Sequence, residues 1–438
     1  MHKHLCFLNL QLNMKISNNL NTLYDLKNEI KKVINLFGGN CSDLFTEYAK
    51  KIEKVILERN FGDGEERVYE ISDGITAIAD YALFRSNFEK VIMSNDITSI
   101  GVSSFKENYS LSAITFSNKL ETILENAFEN CYTLNDIVLP NSLSIIGECA
   151  FKNCSTLSSI TIPSGVTSLG KETFSGCSNL TSIELHENIN DLGEKCFYQC
   201  SSIPSITLPL NISGLNHSSF EQCYSLSAIT LHDNLSYIEE YAFKDCSLLS
   251  SITIPSSVTY VANGTFQNCS QLTAITFNGN IESIGSNAFD GCSSLTDITL
   301  SDNLTFIGSS AFSGCQSLTT LNIPPSVTDI QTHAFEMCHG LTEIVFPENL
   351  SILEENVIFR NNGLVKVTLP NSIKEIKGKN FLAQCPSIRE VIYNGTKEEW
   401  KKIKKEDNWN VNNINSTEVT IKCTDGDFPI ANYMTTEP

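Results

Sequence analysis

A phenylalanine recurs every 23 residues through the middle of this 438-residue chain, at Phe105, Phe128, Phe151, Phe174, Phe197, Phe220, Phe243, Phe266, Phe289, Phe312 and Phe335. Ile358 and Phe381 continue the series, and Ala82 stands one step before it. Three residues after most anchors comes a cysteine, at Cys131, Cys154, Cys177, Cys200, Cys223, Cys246, Cys269, Cys292, Cys315 and Cys338. Six after the anchor is a leucine (Leu134, Leu157), nine after an isoleucine (Ile137, Ile160), and eleven after another apolar residue (Leu139, Ile162). The last two are spaced by two, the period of a strand with one buried face. A breaker such as Pro140, Pro163 or Pro209 ends the strand. A second apolar pair follows, as in Leu143 with Ile146, and then often a glycine where the chain turns, as at Gly147, Gly170 and Gly193.

A unit this short cannot bury its own apolar face, so the units stack and share one continuous core. Fourteen units from Ala82 to Phe381 predict a solenoid over residues 75–392, each unit giving one short strand to a parallel sheet. At about 4.8 Å between strands the rod is roughly 60 Å long. The repeat closely resembles the leucine-rich repeats of the BspA-like family of bacterial and protist surface proteins, over residues 75–395. That resemblance implies an α/β solenoid, a right-handed leucine-rich repeat rod with a parallel sheet of short strands, and a role in binding or adhesion.

Each ladder cysteine falls midway between the core Phe and the core Leu, so it should face inward and fill a small repeated hole as a hydrophobe with a weak donor. Metal sites use paired cysteines or cysteine with histidine. The nearest spacings here, Cys149 with Cys154 and Cys196 with Cys200, each involve one ladder residue. Side chains projecting in parallel from stacked coils are wrongly oriented for disulfides, so reduced thiols are expected, as suits synthesis in a cytoplasm. Cys385 continues the ladder after a one-residue insertion, while Cys6, Cys41 and Cys423 fall outside it.

A formal charge of −20 disfavours nucleic acid and anionic membranes as partners. No apolar run approaches the roughly 20 residues that span a bilayer, so membrane insertion is not expected. The chain lacks a Gly-rich phosphate loop, G-x-S-x-G and H-E-x-x-H. No constellation suits acid-base catalysis, and neither an enzyme nor a cofactor or metal is expected. His186 and His232 share a phase but stand two coils apart, near 10 Å, too far for one ion.

Binding is therefore sought on the outer face of the sheet, eight and ten residues after the anchor. The second of these positions is mostly threonine, at Thr161, Thr207, Thr230, Thr253, Thr276, Thr299 and Thr368. Departures from the consensus, Asp136, Glu184, Asp297, Asn322, Glu343 and Lys366, are the candidate contacts with a partner.

The two ends differ from the middle. Residues 1–14 read as an upstream extension with Met14 as an alternative start, and their apolar stretch is broken by Asn9, Gln11 and Asn13, unlike a signal peptide. Helical spacing of Leu23, Leu26, Ile30 and Val33, and again of Leu44, Tyr48, Ile52 and Val55, predicts a helical attachment or capping segment over residues 15–60, followed by a linker at 61–74. Its string around Lys27, Ile30, Lys31 and Ile34, then Phe45, Tyr48, Ala49, Lys51 and Ile52, resembles a short module of bacteriophage tail and other virion proteins. The resemblance implies docking on other virion subunits. Residues 393–438 predict a strand, a turn at Asn394-Gly395, a helix capped by Thr396, and a last strand through Ile421 and Cys423. With Trp400, Trp409 and the turn from Thr424 to Asp427, this end resembles the C-terminal cap of bacterial and phage leucine-rich repeat proteins. The combined expectation is a non-enzymatic protein that recognises a protein or glycan on a cell surface as a virion component. The alternative is a BspA-like adhesin, placed at a cell surface or secreted.

Overall fold

The computed structural model describes residues 67–135, 137–378, 381–382, 384–405 and 420–429. The expected helical segment at 15–60, the extension at 1–14, and Trp409 lie outside these residues. The described part is a solenoid of stacked coils whose strands pair in parallel with those one coil away.

Most coils carry two strands rather than the single one expected. The first lies eight to ten residues after the anchor: Ser159–Thr161 pairs with Ser182–Glu184, with Ile160 opposite Ile183. The second lies just before the next anchor, where Ser168–Leu169 pairs with Asp191–Leu192. Its two residues are one exposed and one buried, too brief an alternation to stand out as period two in the sequence.

The α/β class is corrected as well. Among the described residues the helix is Lys397–Lys402, in the terminal cap. In the repeats, the corner around each Phe is built from residues of alternating handedness: Cys149 (φ 53°) and Asn153 (φ 59°) flank Phe151, and Tyr241 (φ 59°) and Asp245 (φ 60°) flank Phe243. Alternation turns every other N–H toward the next coil. Cys149, Phe151 and Asn153 donate to the carbonyls of Lys171, Thr173 and Ser175 at 2.9, 3.0 and 2.7 Å. The residues between them close three-residue turns, as in Lys152 N–H to Cys149 O at 3.1 Å. The corner is thus a third ladder between coils, and it leaves no run of right-handed residues for a helix. Asn and Gly are frequent here because they tolerate positive φ, and no β-branched residue stands at any left-handed position described.

The phase of the first coil is also corrected. Leu83, not Ala82, fills the Phe slot: Leu83 N–H bonds Ser104 O as Phe105 N–H bonds Ala127 O, and Leu83 is buried while Ala82 is partly exposed. Ile78 pairs with Ile100 at a spacing of 22, so the first coil is one residue short. The solenoid begins before residue 75, within the stretch read as linker: Val68–Glu70 pairs with Lys90–Ile92, and Tyr69 stacks on Phe88 at 4.6 Å.

Phe105 to Phe335 form one column of eleven buried rings, with successive centroids 5.0 to 5.9 Å apart and nearly parallel planes. The glycine after the second strand is there for space. A Cβ on Gly193 would lie 2.5 Å from the backbone of Gly170, and one on Gly147 2.6 Å from Glu125 N.

At the C-terminal end, Glu390–Tyr393 continues the first sheet, Thr420–Cys423 joins it in parallel, and Gly426–Pro429 adds an antiparallel strand. The helix between them opens on a capping box of Thr396 and Glu399. Its Trp400 is fully buried, 5.2 Å from Tyr393. Replacing Trp400 with Ala should cost about 3–5 kcal/mol locally. It should also bare a strand edge that pairs with other chains, so that size-exclusion chromatography shows oligomers at a temperature where the parent protein is unchanged.

Candidate functional site

The thiol ladder lies wholly inside. Cys131 Sγ donates to the carbonyl of Phe105 at 3.1 Å, Cys154 to Phe128 at 3.3 Å, Cys177 to Phe151 at 3.2 Å, and the bond repeats through Cys338 to Phe312 at 3.1 Å. The Phe carbonyls from Phe105 to Phe312 also accept the N–H of their own coil's ladder residue, as from Cys131 N at 3.1 Å. The thiol therefore takes the second lone pair of an otherwise half-satisfied buried acceptor and ties it to the next coil. Burial pushes the Cys131, Cys177 and Cys338 thiols up to about 12, far from the range of a nucleophile or ligand.

Asparagine does the same work at both ends, which the sequence reading missed. Asn108 Nδ2 reaches Leu83 O and Phe105 O, both at 2.7 Å. Asn361 reaches Phe335 O and Ile358 O, both at 2.8 Å. Their position three residues after the anchor was the available signal. Among the described residues no group of three or more His, Cys, Asp and Glu is placed to hold a metal.

The six candidate contacts do not form one site. Asp136 lies outside the described residues. Glu184 is exposed and accepts from Thr161 Oγ1 at 3.3 Å. Asp297, Asn322, Glu343 and Lys366 fall on four successive coils, the first three exposed and Lys366 partly so, over a span of about 14 Å. Glu343 and Lys366 stand opposite each other and pair at 2.7 Å. Glu390 and Lys422 continue the alternation on the next two strands as a second ion pair. Exposed pairs of this kind contribute about 0–1 kcal/mol each, so the stripe sets local register and charge more than stability. Thr368 departs from the threonine run. It is buried, because its strand lies between Glu343–Val345 and Glu390–Tyr393 with Val345 and Ile392 beside it.

A surface cleft lies on the second sheet, where sequence reasoning did not look. A cleft of about 570 Å³ opens over coils 220 to 312, lined by Glu239, Glu240, Tyr260, Ser283, Gly285 and Phe306 among others. The outward position of three successive second-sheet strands builds it: Tyr260, Ser283 and Phe306 follow one another in register. Tyr237 lies flat over Gly214, whose missing side chain makes the room, since a Cβ there would meet the ring at 2.2 Å. Glu239 accepts from His217 N at 2.9 Å, and Glu240 from Asn263 Nδ2 at 2.7 Å.

Comparison with known proteins bears on the whole rod. The chain is similar to a leucine-rich repeat protein of Bacteroides ovatus ATCC 8483, at 23% identity and a TM-score of 0.64, covering 84% of this chain and 97% of that one. It is also similar to a leucine-rich cell surface protein of Faecalibacterium prausnitzii A2-165, at 22% identity and a TM-score of 0.48, over 78% and 91% of the two chains. A leucine-rich repeat protein of Eubacterium ventriosum ATCC 27560 matches at 22% identity and a TM-score of 0.48, over 66% and 82%. No curated protein matches. The model of the BspA-type leucine-rich repeat region matches residues 55–158, 145–273 and 262–389, most of the chain, and the chain therefore belongs to the BspA-type leucine-rich repeat family.

Proposed function

We propose that this chain is a non-enzymatic binding protein whose rod presents side chains to a protein or glycan displayed at a cell surface. One observation carries the reading: a strictly repeated interior supports outward slots that tolerate substitution. The slot ten residues after the anchor is threonine in most coils and departs from it at Val138, Glu184, Asn322 and Val345, over buried neighbours that are Ile in nearly every coil. A scaffold that holds its backbone constant while varying its surface suits recognition. Family membership supports the same reading.

Two settings can deliver such a protein to a cell surface: residence on its own cell as an adhesin, or carriage on a virion. The second rests on the string at residues 15–60. Mass spectrometry of washed cell-surface fractions and of density-purified phage particles separates them. A chain enriched with surface fractions supports the adhesin. Fixed copy number in particles supports the virion component. Recovery only in soluble lysate, together with no binding of labelled full-length protein to any cell of the source community, would sink the proposal.

A further inference from the structure

The cleft on the second sheet has the chemistry of a receptor for a cation. Tyr260 and Phe306 rise from strands two coils apart, and the strand between them carries Ser283, with Gly285 two residues on. Small residues between two ring-bearing strands leave a slot, about 10 Å from strand to strand. Tyr260 is 37% exposed, so its ring is open to solvent. Glu239 and Glu240 line the cleft from the coil before Tyr260, and the lining residues, all of them described, include His217 but no Lys or Arg. A carboxylate beside the slot is felt by the ring hydroxyl: burial first, then the Glu239 charge, push Tyr260 above its ordinary value. An uncovered aromatic slot with two acids in its lining and no Lys or Arg repels anions and attracts a flat or compact positive group.

The same protein fills this arrangement with its own cation one coil away. Lys244 Nζ lies 5.3 Å from the Tyr241 ring centroid and 3.1 Å from Glu221 Oε1. At the cleft the ring and the carboxylates are present, with Glu239 held by the His217 N–H and Glu240 by the Asn263 amide, and no Lys or Arg side chain is among the lining residues.

We propose that the slot between Tyr260 and Phe306 binds an arginine side chain of a protein partner, the guanidinium stacking on the rings and pairing with Glu239 and Glu240. The assignment rests on the binding reading above and names the partner's chemistry. Planarity favours Arg over Lys, because a guanidinium offers a face to each ring and N–H groups to the acids.

The test uses the full-length chain, titrated with N-acetylargininamide and with its neutral isostere N-acetylcitrullinamide, followed by ligand-observed NMR. Saturable binding of the arginine compound at least tenfold tighter than the citrulline compound is expected. Tyr260→Ala, Phe306→Ala and Glu239→Gln should each weaken it at least threefold, with circular dichroism unchanged because all three lie on the outer face. Glu343→Gln, on the other sheet, should not change it. Equal binding of the two amides, or binding indifferent to Tyr260→Ala, overturns the assignment. So does a neutral oligosaccharide that binds with the same Tyr260 dependence while the arginine amide does not, which would give the slot to sugar rings. Failure of the intact protein to bind cells would sink the broader reading without altering these titrations, so the two failures are distinguishable.

Discussion

Raising the pH from 8 to above 10 should unfold the solenoid in a single steep transition. The ladder thiols are neutral in the folded state because burial raises them from 9.0, to about 12 for Cys131, Cys177 and Cys338 and in the same direction for the rungs between. Unfolded thiols ionise from about pH 8.5. A group raised on folding stabilises fully below its unfolded value, and that stability is lost as pH climbs toward the folded value. At about pH 10 the loss is about 2 kcal/mol for each thiol, and ten rungs acting together give roughly 20 kcal/mol, above the whole margin of about 5–15 kcal/mol. Lys405, lowered to about 8 by burial, acts in the opposite direction as one group against ten. Circular dichroism and thiolate absorbance should therefore change at the same pH. Replacing two central rungs by Asn, the residue that serves at 108 and 361, should make the transition shallower. Thiolate forming near pH 9 while the dichroism stays constant would show that the rungs are not sealed, and the account of the ladder would fail.

Phe220→Ala should be the most damaging single core substitution. The ring is fully buried and stacks on Phe197 at 5.5 Å and Phe243 at 5.8 Å. Truncating a buried Phe costs about 3–5 kcal/mol, and two lost ring contacts add about 0.5–1.5 kcal/mol each. Because each coil touches only its neighbours, the break falls on two interfaces at once and uncouples the halves of the rod. Hydrogen exchange should show the coils on either side of residue 220 opening independently, where the parent opens as one unit. Phe335→Leu, next to Ile358 at the end of the column, should cost far less. A uniform small loss across the rod in both variants would contradict the nearest-neighbour picture.

The sequence by itself determined the repeat, the solenoid, the buried column of Phe, Cys and Leu, and the strand, capped helix and strand of the C-terminal cap up to Cys423, but not the strand Gly426–Pro429 beyond it. All of these follow from apolar side chains recurring at a fixed period, and a chain that stacks equal units has one way to bury them. Tertiary structure decided what depends on the next coil. The second strand, at Ser168 with Leu169, exists only through its neighbour's hydrogen bonds. The alternating handedness around Phe151 is a backbone choice that side-chain patterns barely record. Leu83 took the anchor slot from Ala82 because the coil beside it set the register. The thiols were correctly placed indoors, but the reason for them, a carbonyl with one lone pair left over, appears only once two coils lie together. Candidate contacts read along the first sheet proved to be spread over many coils, whereas the cleft at Tyr260 and Phe306 is assembled from residues 23 apart on a strand too short to be seen in the sequence.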